Sequence, residues 1–455
     1  MQRLSPHTFR ERNHRQPKPV SSGRLFRLPW GRIVGAAVML FVGYGLGRGA
    51  LSLAHEAAEI WSGPKISAEA AAFLNAKPAP QKSEAAPLKA KTQAVKVPQA
   101  QLIQPGKPLL QPKNFHRSLH GQSPVLTQKM RWLLDDYNVP EGAIVVLDVH
   151  TGDILTAVGR KNGKADVDAV LTAKWPAASV FKTVTAAALL KSGMNPNKKS
   201  CFNGGLRKVS RKQLDRTKGA RCSDFVVAFG KSQNIPFARW TDTYLNATSL
   251  MAEASHWGFG HANRLQLPLK AVGLPIIPEE RLAFARTGAG FGEVPMSPLH
   301  GALLASAVAN GGEVALPKVI ANQVPVVLPM MASKTAKVMK KAMLATVKKG
   351  SARRAFLERR RPAMGSLGAG GKTGSLFIKS KAGQDLTWFV GFAPADNPEI
   401  AVAAYVINGP KWRIRAPYMG REAMRSALLK TSPYRPTQDP LLVQRKLGKK
   451  SASRK

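Results

Sequence analysis

Hydrophobic residues recur along the middle of the chain with two different spacings, which predict helices and strands. In residues 127–137 the apolar side chains fall three and four positions apart, as on one face of a helix. Residues 143–147 form an unbroken apolar run of strand length, and the polar, glycine-containing stretch 150–153 separates them from a second apolar run at 154–158. This order predicts a helix followed by a β-hairpin.

The same patterns continue towards the carboxyl terminus. They predict helices over 298–310, 334–348 and 419–429, and strands over 372–378, 386–392 and 400–407. Glycines close the first two of these helices. Strands at both ends of a helical middle indicate one antiparallel sheet with helices packed against it, within a body that we place at residues 118–432.

The amino-terminal part has the pattern of a membrane anchor. Residues 1–32 carry eight Lys or Arg and one acid, and residues 33–54 have Arg48 as their single charge. Basic residues before an apolar segment predict a cytoplasmic arm and a transmembrane signal anchor with the amino terminus inside. A span takes roughly 20 residues, so Arg48 would extend to the outer interface. The alternative is a signal peptide cleaved after Ala54, and both interpretations export the chain beyond residue 54.

A linker separates the anchor from the body. We predict a short helical stretch and a Pro-, Lys- and Ala-rich linker over residues 55–117, because residues 77–113 contain seven prolines, seven lysines and one acid. Such a composition cannot bury a core. Residues 433–455 form a second basic, tail-like segment.

The charge balance favours anionic partners. Sixty-nine Lys and Arg against 26 Asp and Glu give a formal charge of +43, enough to attract any polyanion. Export argues against nucleic acid, which leaves anionic wall polymers or lipids as partners of the basic flanks, unless the linker is merely a solvated spacer. Two cysteines and no H-E-x-x-H spacing give no reason to expect a metal or another cofactor.

Three short motifs carry the candidate chemistry, and each alone is a weak signal. They are Ser179-Val180-Phe181-Lys182, Ser232-Gln233-Asn234 and Lys372-Thr373-Gly374. Pro176 before the first motif and an apolar run at 184–190 after it predict that Ser179 lies on the first turn of a buried helix. Residues three apart on a helix share a face, so the Lys182 amine can take the proton of the Ser179 hydroxyl if burial keeps that amine neutral.

The other two motifs supply groups that acyl transfer needs. Ser232 offers a hydroxyl that can relay protons, and Asn234 an amide that can orient a substrate. Lys372 and Thr373 place a cation and a hydroxyl on a predicted strand, and Gly374 lets a substrate backbone approach closely. Together the motifs predict an acyltransferase with a serine nucleophile.

Over residues 140–430 the chain resembles the transpeptidase domain of penicillin-binding proteins, the family that includes the serine β-lactamases. The resemblance extends beyond the three motifs to the hairpin around Thr151-Gly152-Asp153, to Met296-Ser297-Pro298-Leu299 and to Trp388-Phe389-Val390-Gly391-Phe392. It implies a β-lactamase/transpeptidase-like α/β (α+β) fold. That fold has a five-stranded antiparallel sheet flanked by helices, with an all-α subdomain beside it.

The resemblance also implies roles for individual residues. Ser179 would be the nucleophile, Lys182 its general base, Ser232 a proton relay and Asn234 a substrate contact. Lys372 and Thr373 would hold the terminal carboxylate of a peptidoglycan stem peptide ending in D-Ala-D-Ala, and β-lactam antibiotics would acylate the same serine. The backbone N–H groups of Ser179 and Ser375 would form the oxyanion hole. The family often has Pro-Gly before the nucleophile, whereas this chain has Ala177-Ala178, which leaves the local backbone geometry open.

Cys201 and Cys222 lie between the first two motifs. In an oxidising compartment they are expected to form a disulfide, and in the cytoplasm they would be two free thiols. The predicted location is the inner membrane, single-pass, with the catalytic domain in the periplasm or outside the cytoplasmic membrane.

Three functions compete with a D,D-transpeptidase. A D,D-carboxypeptidase would transfer the acyl group to water, and a β-lactamase would hydrolyse it rapidly with a placed carboxylate. The string nearest to such a carboxylate motif begins at Glu279, and we interpret it as the start of a helix. A catalytically idle wall-binding scaffold would not need Ser179, Lys182 and Lys372. No glycosyltransferase domain fits between anchor and linker, so glycan polymerisation is expected from a partner protein.

Overall fold

The computed structural model describes residues 123–429, except 205–208, 216–217, 318–325, 379–383 and 410–412. The predicted arm (1–32), anchor (33–54), linker (55–117) and tail (433–455) lie outside the described residues. Within the described ranges, no helix combines the length and the apolar character needed to cross a membrane.

The described chain folds into fourteen strands and eleven α-helices. The strands are β1 (Glu141–Asp148), β2 (Ile154–Lys161), β3 (Lys164–Ala165), β4 (Trp175–Pro176), β5 (Ser200–Phe202), β6 (Arg221–Ser223), β7 (Pro295–Met296), β8 (Glu313–Ala315), β9 (Val327–Pro329), β10 (Leu357–Glu358), β11 (Arg361–Pro362), β12 (Gly370–Ile378), β13 (Gln384–Ala393) and β14 (Ile400–Asn408). The helices are α1 (Pro124–Asp136), α2 (Asp168–Leu171), α3 (Lys182–Lys191), α4 (Arg211–Asp215), α5 (Phe225–Gly230), α6 (Asn234–Tyr244), α7 (Ala247–His256), α8 (Arg281–Gly288), α9 (Pro298–Ala309), α10 (Ser333–Lys348) and α11 (Ala416–Leu428), with 3-10 turns at Ala178–Phe181 and Leu269–Ala271.

The main sheet is antiparallel and has six strands in the order β12-β13-β14-β1-β2-β3. The prediction of five strands was therefore wrong by one short edge strand. Its cause is local, because Asn162 and Gly163 both have positive φ, 50° and 76°, which is the backbone of a tight hairpin turn. The turn folds β3 back onto the end of β2.

Both faces of the sheet are buried, which explains the nearly continuous apolar runs in the central strands. Residues 143, 145 and 147 of β1 pack into a core on one face, together with α3 and α9. Residues 144 and 146 pack into a second core on the other face, with α1 and α11. Because side chains alternate across a strand, a strand buried on both faces carries no polar alternation.

Helix α9 lies in the core of the described body. Every residue from Pro298 to Ala309 is buried, as expected for a helix that is apolar all round. It contacts β1, β13 and β14, and its residues belong to the same core as α3, α5, α6 and α7. The described body thus comprises the predicted sheet with helices on both faces and a helical part beside it.

A disulfide closes a small hairpin in the helical part. Cys201 on β5 and Cys222 on β6 face each other in the strand register and are joined through their sulfur atoms. The segment between them is the basic loop that separates the first two motifs, and β6 leads directly into α5.

Three elements bring the motifs to one edge of the sheet. The 3-10 turn Ala178–Phe181 contacts β12. Strand β12 lies at one edge of the sheet, at the opposite end from β3, and pairs with β13 in the described structure. Helix α10 packs against both α5 and β12. It thereby fixes the end of α5, where the second motif lies, relative to the strand that carries the third.

Candidate active site

Ser179 lies on a 3-10 turn, not on the first turn of an α-helix as the sequence predicted. The turn covers Ala178–Phe181, and α3 begins at Lys182. A 3-10 helix has three residues per turn, so side chains at i and i+3 stand directly above one another. The tighter turn aligns Lys182 with Ser179 more closely than α-helical geometry would.

The residue before Ser179 has a left-handed backbone. Ala178 has φ 48°, a region that glycine adopts freely and that costs an L-residue with a side chain roughly 1–2 kcal/mol. The Ala177-Ala178 pair that departs from the family pattern therefore keeps a conformation suited to glycine. Gly290 packs against this turn, since a Cβ there would lie 2.6 Å from the Ala178 carbonyl oxygen and 2.8 Å from Ser179 Cα.

The Lys182 amine is completely buried and has three polar neighbours. Its Nζ lies 2.8 Å from Ser179 Oγ, 2.8 Å from Asn234 Oδ1 and 2.5 Å from the Ala289 carbonyl oxygen. Carbonyl oxygens can only accept hydrogen bonds. A neutral amine has two N–H groups and one lone pair, so it can donate to both oxygens and direct its lone pair at the Ser179 hydroxyl.

Burial favours that neutral form. It lowers the pKa of Lys182 well below the ordinary lysine value, and the nearby positive charge of Lys372 lowers this pKa further. Among the described residues no carboxylate forms an ion pair with the Lys182 amine. The local electrostatics therefore match the hydrogen-bonding geometry, and both suit a base that accepts a proton from serine.

The second motif occupies the turn between α5 and α6. Ser232 has φ 53°, and the N–H groups of Ser232 and Gln233 donate to the carbonyls of Phe229 and Ala228, which ends α5 with a left-handed residue. Asn234 is the first residue of α6 and is buried, which places its amide oxygen against Lys182. The turn thus directs the two polar side chains to different lysines. Asn234 accepts a hydrogen bond from Lys182, and Ser232 accepts one from Lys372.

The third motif lies on the edge strand β12. Lys372 is buried, and its Nζ donates to Ser232 Oγ and to the Thr373 carbonyl oxygen, both at 2.8 Å. Burial lowers the pKa of Lys372 to about 7. A Cβ at Gly374 would lie 3.0 Å from the Ala177 carbonyl oxygen, so this strand passes close to the nucleophile turn, and Ser375 comes next at an exposed position.

Every predicted site residue of the three motifs thus lies in one region of the described structure. Sequence reasoning missed two further contributors. Ala289 supplies the carbonyl that accepts from Lys182, and the glycines at 288, 290 and 292 around it were the available signal for a close backbone approach. Ser351 lies 2.6 Å, oxygen to oxygen, from Thr373, and nothing in its local sequence marked it.

Two other sequence expectations concern groups outside these motifs. Glu280 caps α8 by accepting from the Ala283 N–H, which confirms that the string beginning at Glu279 is a helix start. Across the described ranges, no group of three or more His, Cys, Asp or Glu side chains is arranged to hold a metal ion.

Comparison with known proteins matches the region of the chain that contains these three motifs. The family model of the penicillin-binding protein transpeptidase domain matches residues 142–424, which is more than half of the chain. Stage V sporulation protein D of Bacillus subtilis is 29% identical over 279 residues, covering 55% of this chain and 41% of that protein. Peptidoglycan D,D-transpeptidase PbpA of Mycobacterium tuberculosis is 26% identical over 329 residues, covering 60% of this chain and 63% of that protein.

Solved structures share the fold. The imipenem acyl-enzyme complex of penicillin-binding protein A from M. tuberculosis superposes with a TM-score of 0.54 at 21% identity, over 67% of this chain and 78% of that one. At this identity the likeness concerns the fold. The aligned regions span less than two thirds of the length of the two curated relatives, 41% and 63%.

Proposed function

Since the chain belongs to the penicillin-binding protein transpeptidase family, we propose that it is a peptidoglycan D,D-transpeptidase that forms an acyl-enzyme on Ser179. The observation that carries the proposal is the hydrogen-bonding environment of the Lys182 amine. Two acceptor-only oxygens and the Ser179 hydroxyl surround it at 2.5 to 2.8 Å. This arrangement is satisfied when the amine is neutral and accepts the serine proton.

In the acylation step Lys182 takes the proton of Ser179 as the oxygen attacks the carbonyl carbon between the two D-alanines. The negative charge that develops on the substrate oxygen is stabilised by the backbone N–H groups of Ser179 and Ser375. The C–N bond then breaks, which leaves an ester on Ser179 and releases D-alanine. Asn234 holds the Lys182 amine in place throughout by accepting one of its hydrogen bonds.

Departure of D-alanine requires a proton on its nitrogen. Ser232 can supply it, because its hydroxyl accepts a hydrogen bond from Lys372 at 2.8 Å and can be reprotonated from that amine. A lysine pKa of about 7 makes proton exchange with this hydroxyl feasible at neutral pH. Thr373 and the Lys372 charge bind the carboxylate of the terminal D-alanine.

The acceptor in the second step is an amine of a neighbouring stem peptide, which attacks the ester carbonyl. The proton that this amine loses passes through Ser232 back to Lys372, and Lys182 returns its proton to Ser179 Oγ as the ester bond breaks. The relative PbpA is named a D,D-transpeptidase, which supports an amine acceptor. A solved fold neighbour is an imipenem acyl-enzyme, which supports acylation by β-lactams. Transfer to water would give a carboxypeptidase or, with a β-lactam, a β-lactamase. Product analysis separates these outcomes.

The test is labelling of the purified chain with a fluorescent penicillin, followed by incubation with stem peptides. We expect Ser179→Ala to lose covalent labelling while keeping the fold, because the hydroxyl carries the acyl group. Ser192→Ala is the matched control, since Ser192 closes the same helix α3 at its far end. Undiminished labelling of Ser179→Ala would overturn the proposal, and cross-linked rather than trimmed peptide identifies the transpeptidase.

The location is inferred from the amino-terminal pattern. We propose that residues 33–54 anchor the protein in the inner membrane, with residues 1–32 in the cytoplasm and the body at 118–432 in the periplasm. The seven lysines in residues 77–113 and the basic segment 433–455 support contact with anionic lipids or wall polymers. A separate glycosyltransferase would supply the glycan strands.

A further inference from the structure

Ser351 connects two of the three motifs through contacts of its own. It lies just beyond the end of α10, and its backbone N–H donates to the carbonyl of Gly230 at 2.9 Å. Gly230 is the last residue of α5, two positions before Ser232. The side-chain oxygen of Ser351 lies 2.6 Å from Thr373 Oγ1 on β12. Ser351 therefore fixes the distance between the Ser232 turn and the edge strand.

The chain can take this path only with glycine before Ser351. A Cβ at Gly350 would lie 2.0 Å from the Gly230 carbonyl oxygen, which is far inside van der Waals contact. The backbone of Ser351 is thus held tightly against the end of α5. Ser351 is itself exposed, and its hydroxyl lies at hydrogen-bonding distance from Thr373, which is buried at 8% exposure.

The hydrogen bond between the Ser351 and Thr373 hydroxyls decides which of the two can donate to a substrate. Each oxygen carries one proton, and the hydrogen bond between them uses one of the two. When Ser351 donates to Thr373, the proton of Thr373 remains available to a substrate. Accepting a hydrogen bond also polarises the Thr373 hydroxyl and strengthens the one that it donates.

We infer that Ser351 is a positioning residue that directs the Thr373 hydroxyl proton towards the carboxylate of the substrate. The inference rests on the proposed function, in which Thr373 binds the terminal carboxylate of a D-Ala-D-Ala peptide or the carboxylate of a β-lactam. Ser351 itself acts through Thr373. Its contribution is therefore specific for ligands that carry the negative charge.

The test uses two β-lactams that differ only in having a carboxylate or its carboxamide, with the second-order acylation rate of the full chain as readout. Ser351→Ala should slow acylation by the carboxylate form about five- to tenfold, the effect of losing one supporting hydrogen bond. Acylation by the carboxamide form should change less than about twofold, because it lacks the charge that Thr373 recognises. Ser351→Thr keeps the hydroxyl and should restore most of the rate.

Three further variants make the result specific. Ser366→Ala removes an exposed serine from the segment before β12 and should leave both rates unchanged. In a Thr373→Ala background, Ser351→Ala should have no additional effect on the preference for the carboxylate. Ser351→Gly also deletes the hydroxyl and repeats the measurement if the alanine variant does not fold.

An equal loss of rate for both β-lactams would show that Ser351 has a general structural role, and no loss for either would show that Thr373 needs no support. Both results overturn the inference while leaving acylation of Ser179 intact. Failure of the wild-type chain to be acylated by either compound would instead overturn the proposed function, and the inference with it.

Discussion

Replacing Lys372 by methionine should make the protein more stable at neutral pH although it removes a site residue. Lys372 is completely buried, and within the described part of the chain no acidic side chain forms an ion pair with it. Burial lowers its pKa from 10.5 to about 7, which means that the folded protein disfavours its charge. Methionine has a similar length and no charge to desolvate.

Proton linkage gives the sign and size of the effect. Between pH 7 and 10.5 the unfolded chain binds more protons at this residue than the folded chain, so the free energy of unfolding rises with pH. The cost of the buried amine is about 4 kcal/mol at pH 7 and falls to about 1 kcal/mol at pH 9.5. The variant loses two hydrogen bonds of about 1 kcal/mol each, to Ser232 and Thr373. A net gain of about 2 kcal/mol remains at pH 7, and it is lost near pH 9, so at pH 9.5 the variant is slightly less stable than wild type.

Urea unfolding of both proteins at the two pH values measures this difference. Lys341→Met, at an exposed position of α10, controls for loss of a positive charge from the surface. In the variant, the positive charge of Lys372 no longer lowers the pKa of Lys182. This second effect also favours a more stable variant at pH 7. A stability difference between Lys372→Met and wild type that stayed the same at both pH values would refute the assignment of a burial-lowered pKa to Lys372.

Two further outcomes are expected. Lys182→Ala should slow penicillin acylation at least about a hundredfold, because the serine loses its base; a rate within a few-fold of wild type in stopped-flow labelling would place the proton elsewhere. Ala178→Gly should leave the urea midpoint unchanged or raise it, because glycine tolerates the φ of 48°. The neighbouring Ala177 has an ordinary φ of −61°, so Ala177→Gly should lower the free energy of unfolding by about 1 kcal/mol. Equal destabilisation by both glycines would contradict the strain at Ala178.

The sequence predicted the regular elements well where their patterns were strong. Helix α10 was predicted from residue 334 and begins at Ser333, and β14 was predicted at 400–407 and covers Ile400–Asn408. The missed strand β3 has two residues and depends on the Asn162-Gly163 turn, which is itself a recognised hairpin signal. Such short edge strands are not predicted from the hydrophobic pattern, because two residues are too few to show a periodicity.

The structure brings the predicted site residues close together, but the sequence did not predict the geometry of their contacts. The hydrogen bonds that assemble it join residues 52, 107 and 140 positions apart, and no local pattern encodes such contacts. Ala289 contributes a backbone carbonyl, so its side chain gives no signal at all. The left-handed conformation of Ala178 was equally invisible, because an alanine adopts it only with support from the surrounding structure.

The two buried lysines show how one residue type can serve opposite roles in the proposed mechanism. Lys182 is surrounded by two acceptor-only oxygens and a hydroxyl, and its pKa is lowered both by burial and by the charge of Lys372. Lys372 has a hydroxyl and one carbonyl as partners, and its pKa is lowered by burial alone, to about 7. The positive charge of Lys372 lowers the pKa of Lys182, so a protonated Lys372 favours the neutral, basic form of Lys182. A bound carboxylate would favour the charged form of Lys372. Substrate binding would therefore stabilise the state in which Lys372 is cationic and Lys182 is neutral and basic.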